Sequence, residues 1–95
     1  MQRFHYWRIQ IQGADDEHAV ARVLREYRSM ISPAMIKSLP NPCRESLDSP
    51  DISNAARTLL QAAMTYEGAP EVMALLHEVA RTYAAAAVRI AGWGS

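Results

Sequence analysis

Residues 70–91 carry the clearest periodic pattern in the chain. Val72, Leu75, Leu76, Val79, Tyr83, Ala86, Ala87 and Ile90 recur at helical spacing. At about 100° per residue they fall in one stripe, which predicts a long amphipathic helix with a single buried face. The remaining segments can be read as material that covers this stripe. Ile52, Ala55, Ala56, Leu59, Leu60, Ala63 and Tyr66 form a second stripe and predict a helix over 50–67. Ser49-Pro50-Asp51 precedes it as a start signal of cap, proline and acid. Gly68 is placed to end that helix in the left-handed conformation, and Pro70 starts the next at once. So short a link predicts an antiparallel αα-hairpin, and alanines on both stripes let the axes approach closely.

Upstream, Val20, Val23, Leu24, Tyr27 and Ile31 predict a helix over 15–31. Asp15 can cap it, and Asp16 and Glu17 place negative charge in the first turn, where the helix dipole favours it. His18, Arg22, Arg25 and Ser29 lie on the opposite face. Ser32-Pro33 then starts a short helix over 33–39, with Met35, Ile36 and Leu39 inward. Residues 40–50 hold three prolines together with Asn41, Ser46, Asp48 and Ser49, the composition of a surface loop pinned by Leu47.

Residues 3–12 alternate with a period of two. Trp7, Ile9 and Ile11 fall on one side with Arg3 and His5; Phe4, Tyr6, Arg8, Gln10 and Gln12 fall on the other. Aromatic and β-branched content suits a strand, which Gly13 ends. The expected fold is thus a single mainly α domain, an α-rich α+β chain with one N-terminal strand and three or four helices. A lone strand leaves a row of backbone donors and acceptors without partners. It can pair with an extended piece of 40–48, with its twin across a two-fold axis, or with a strand of another protein. The favoured expectation is a homodimer in which residues 3–11 of two copies run antiparallel.

Composition narrows the function classes. Ten basic residues balance ten acidic ones, so no summed positive field draws the chain to nucleic acid or anionic membrane. Zero net charge also weakens repulsion between copies. Hydrophobic residues make up 49% of the 95, enough for one core. Cys43 is the one cysteine, which excludes an internal disulfide and fits a reducing compartment. Neither a signal peptide nor a membrane-spanning run is expected, so the expected location is cytoplasmic.

Candidate chemistry is sparse. His77-Glu78-Val79-Ala80-Arg81 has the first half of a zinc-protease pattern, but Arg81 stands where the second ligand belongs. A surface histidine beside a Glu78–Arg81 ion pair is the expectation, with no metal and no cofactor. Cys43 beside Arg44 is a candidate nucleophile, since a nearby guanidinium favours the thiolate. Arg22, Arg25 and Arg28, with Arg3, Arg8, Phe4, Tyr6 and Trp7, could make a basic, aromatic surface for a single strand of nucleic acid. Asn54, Thr58, Gln61 and Thr65 form an uncharged stripe on one helix, a pattern that suits a protein interface.

The leading expectation is a non-enzymatic interaction protein, an adaptor, regulator or inhibitor, whose partner is another protein or itself. Its expected interface comprises Phe4, Tyr6, Arg8 and Gln10 of the strand and the stripe Asn54, Thr58, Gln61 and Thr65. The alternatives are nucleic-acid binding through Arg22, Arg25 and Arg28, and a small enzyme with Cys43 as nucleophile.

Overall fold

The computed structural model describes residues 3–92. Their regular structure is six helices: α1 (Arg3–Gln12), α2 (Glu17–Ser29), α3 (Pro33–Lys37), α4 (Asn41–Leu47), α5 (Ile52–Thr65) and α6 (Pro70–Ala91). No strand occurs among the described residues, so the class is mainly α.

α5 and α6 pack against each other more extensively than any other pair of helices. α5 buries Ala55, Ala56 and Leu59, and α6 buries Leu76, Val79, Ala80, Tyr83, Ala86 and Ala87. The alanines leave room for the two backbones to come close while leucine and valine fill the remaining space. Asp51 caps α5, its carboxylate accepting the Asn54 N–H at 3.0 Å. The Ser49 hydroxyl in turn accepts the Asp51 N–H at 3.1 Å, so serine braces the cap and aspartate makes it. Gly92 ends α6 with φ of 71°, the left-handed conformation that glycine adopts without a Cβ clash. Gly68 differs from expectation. Among the described glycines only Gly92 has a positive φ. A Cβ at Gly68 would instead meet the tip of the Tyr66 phenol, which would have to swing aside.

α2 lies along α6 and buries Val20, Leu24 and Tyr27. The Tyr27 hydroxyl donates to the Glu78 carboxylate of α6 at 3.0 Å. The α2 cap is Asp16, one residue after the expected Asp15, and it accepts the Ala19 N–H at 2.9 Å. Ser32 caps α3 in the same way at 3.2 Å, and α3 buries no residue fully.

Residues 3–12 are helical, which overturns the expected strand. A helix satisfies its backbone donors and acceptors within its own segment, whereas a lone strand needs a partner for each. The side chains permit it because Phe4, Trp7, Arg8 and Ile11 stand at i, i+3, i+4 and i+7 and share one face. Ile11 is fully buried, and the other three are half-buried. Arg8 counts as polar in the period-two pattern, yet its stem lies inward and its guanidinium sits 5.8 Å from the centre of the Phe4 ring. The β-preference of aromatic and β-branched residues is a weak bias that packing reverses here. α1 rests on α6 and on α2, where Trp7 meets Tyr27 edge-on at 5.4 Å between ring centres. The sheet edge, and with it the strand-paired homodimer, has no basis in this fold.

Residues 40–50 are likewise not a plain loop, since α4 occupies most of them. Pro42 falls in the first turn, where its missing N–H costs no hydrogen bond. Leu39, Cys43 and Leu47 recur every four residues and are all buried, together with Ser46. α4 packs on α5, and its last carbonyl, that of Leu47, accepts the Tyr83 hydroxyl of α6 at 2.9 Å.

Candidate functional site

A cleft of about 390 Å³ opens between α2 and the end of α4. Ala21, Leu24, Arg25 and Arg28 of α2 form one wall, and Leu47, Asp48, Ser49 and Pro50 form the other. Ile52 and Tyr83 complete the lining. Its volume lies in the range of small-ligand sites, about 300–1,000 Å³. Leu24, Leu47, Ile52 and Tyr83 are buried and give it an apolar base, while the charged groups stand at the walls.

Local sequence builds both walls. Residues 21, 24, 25 and 28 share one face of α2 by helical spacing, so arginines are presented beside the apolar stripe. The opposite wall is held by the Tyr83–Leu47 hydrogen bond and by the Ser49–Asp51 cap. Burial keeps the Tyr83 phenol protonated and pushes its pKa up to about 12. The Tyr27 phenol is raised as well, by burial first and then by the negative charge of Glu78.

The electrostatics of the cleft centre on Arg28. Its Nη2 donates to Asp48 Oδ1 at 2.7 Å, bridging the two walls. The Arg28 Nε–H, on the same edge of the guanidinium, is buried and bonds nothing among the described residues. Asp48 therefore fills half of a fork that a planar carboxylate can fill completely. Arg25 is exposed and has no ion-pair partner among the described residues. Two arginines face one aspartate, so the cleft carries an excess of positive charge. This arrangement can hold an anionic group by bidentate hydrogen bonding above an apolar base.

Comparison with known protein families, with curated proteins and with solved structures finds no match to this chain.

The residues singled out by sequence fall in different places. Arg25 and Arg28 line the cleft, while Arg22 is exposed on α2 and does not. Phe4 and Trp7 are engaged internally: Arg81 lies over the Phe4 ring at 5.0 Å, and Trp7 packs on Tyr27. Half-buried and engaged in this way, they present less ring surface for a base to stack on. Arg8 contacts His5 Nδ1 at 2.8 Å. Tyr6 and Gln10 are exposed on the outer face of α1, remote in register from the buried face. Asn54, Gln61 and Thr65 are exposed along α5 and Thr58 is half-buried; the Thr65 hydroxyl donates to its own helix at the Gln61 carbonyl.

Cys43 is fully buried, and desolvation raises its thiol pKa, the reverse of nucleophile activation. The expected Glu78–Arg81 pair is replaced: Glu78 accepts from Tyr27 and Arg81 stacks on Phe4. His77 is exposed. Among the described residues no three His, Cys, Asp or Glu side chains gather as ligands for a metal ion. No described helix is long and apolar enough to cross a membrane.

Sequence reasoning missed Asp48, Ser49 and Tyr83 as parts of a site. Tyr83 was legible only as core. Asp48 becomes visible only when α4 brings it opposite Arg28, although the face Ala21, Leu24, Arg25 and Arg28 was itself a readable signal of cations bordering an apolar stripe.

Proposed function

We propose that this is a non-enzymatic interaction protein that engages another protein through the cleft between α2 and α4. The observation that carries the reading is a positively charged, apolar-based cleft whose arginine fork is half filled. Charge at the wall with hydrophobic groups below is the pattern of a site that orients a ligand by a few polar contacts. Burial of Cys43 removes the support for a thiol nucleophile. The internal use of Phe4 and Trp7 leaves only Tyr6 of the three aromatic residues exposed, which weakens the stacking platform of the nucleic-acid alternative. We place the protein in the cytoplasm, a setting that suits a single free thiol.

The test is site-specific photocrosslinking in the native cell. A benzophenone amino acid in place of Ser49, in the cleft wall, should capture a discrete protein. The same group in place of Gln12, exposed on α1, should not. Identical products from both positions, or a nucleic-acid adduct from Ser49, would overturn the reading.

A further inference from the structure

We propose that Asp48 occupies the seat of the ligand's own carboxylate, and that an acidic side chain of a partner protein displaces it from Arg28. The inference rests on the cleft being the binding site and adds what it binds. Asp48 reaches Arg28 through one nitrogen only, at 2.7 Å. The neighbouring Nε–H is shut away from solvent without an acceptor. A buried donor left without a partner is unfavourable, and a side-on carboxylate accepting from both Nε and Nη2 removes that cost. The exchange gains one hydrogen bond and frees an aspartate whose side chain is already 64% exposed. Arg25, in the same wall, supplies a second cation that Asp48 does not use. The occupant is therefore an acidic segment with an adjoining apolar side chain, the latter resting on Leu24, Leu47 and Ile52.

Because Asp48 is largely exposed and Arg28 more than a third exposed, solvent screens the pair, which holds the fork weakly and yields to a better acceptor. Neutralising Asp48 should then strengthen ligand binding by about two- to fivefold, the factor that corresponds to a weak exposed ion pair. Glu45 is exposed on α4, three residues before Asp48, and gives the control for a general change of charge.

The experiment uses the full chain and a fluorescein-labelled hexapeptide of alternating leucine and glutamate, followed by anisotropy at low salt. Asp48→Asn should bind about two- to fivefold tighter than the unmodified protein, Glu45→Gln should bind equally, and Arg28→Gln and Arg25→Gln should each bind more weakly. The leucine–glutamine peptide should not bind. Equal gains in Asp48→Asn and Glu45→Gln would overturn displacement and leave the cleft reading intact. Binding unaffected by Arg25→Gln and Arg28→Gln would overturn the cleft reading itself. Failure of the acidic peptide to bind any variant, or its release by phosphate but not by acetate at equal ionic strength, would overturn the carboxylate assignment. Circular dichroism of each variant confirms that the fold is kept.

Discussion

The Tyr83 hydroxyl donates to the Leu47 carbonyl at 2.9 Å across 36 positions of sequence. This bond ties the last turn of α4 to the middle of α6 and fixes one wall of the cleft. The Leu47 carbonyl is one of the terminal acceptors that a helix cannot satisfy itself. Tyr83→Phe keeps the ring and removes the donor, leaving that oxygen buried without its partner. The expected loss is about 1–3 kcal/mol, read as a fall in urea midpoint with unchanged slope.

The same phenol sets an alkaline limit. An unfolded tyrosine ionises near pH 10, while burial raises the Tyr83 value to about 12. Between these values the unfolded chain has lost a proton that the folded chain still holds. Stability is thus full below pH 10 and falls as pH rises from 10 to 12, by roughly 1.4 kcal/mol per unit at the steepest. Tyr27, raised in the same direction, adds to the fall. Thermal unfolding measured from pH 8 to 12 should show a shallower decline in Tyr83→Phe than in the unmodified protein.

α1 gives a direct contrast between strand and helix. Ile9 lies in its interior, and its side chain is half exposed. Ile9→Pro should cost about 3 kcal/mol through a lost intrahelical bond and a steric clash. Helical ellipticity at 222 nm should drop, while the sedimentation coefficient before unfolding should show no dissociation. A conversion of dimer to monomer would restore the strand-paired assembly.

Cys43 should behave as a core residue. Its sulfur is inaccessible in the folded chain and its pKa is raised, so a disulfide reagent reaches it only through opening of α4. Reaction in native buffer should be slower than in guanidinium by on the order of 100-fold or more.

The ion pair that spans the cleft should matter little to folding. Its side chains are 37% and 64% exposed, so solvent screens it. Asp48→Asn should change unfolding free energy by less than about 1 kcal/mol. A large loss in the melt would make the pair a structural brace.

Much of this fold could be read from residue spacing. The stripes of α5 and α6 and the signals at Ser32-Pro33 and Pro70 each carry one period and one boundary marker. α1 was lost because Phe4–Gln12 satisfies two periods at once, and the deciding residue, Arg8, is polar at its tip and apolar along its stem. α4 was lost because Pro42 looks like a breaker, though in a first turn it is not one. The cleft was half legible: Arg25 and Arg28 were singled out together with Arg22 as a basic surface, and Arg22 stands outside the cleft. Their counterpart Asp48 was read as loop composition, since no local rule connects residues brought together by two intervening helices.

The Arg89 guanidinium donates to the Ala14 carbonyl at 2.7 Å, across 75 positions. The bond fastens the link after α1 to α6, the helix on which α1 rests and which is made much later in synthesis. At about 5–20 residues per second, the segment bearing Phe4, Tyr6 and Trp7 waits on the order of 4–15 seconds for its support. During synthesis Phe4 and Trp7 are an opening for chaperone capture that the finished molecule half covers, while Tyr6 stays exposed.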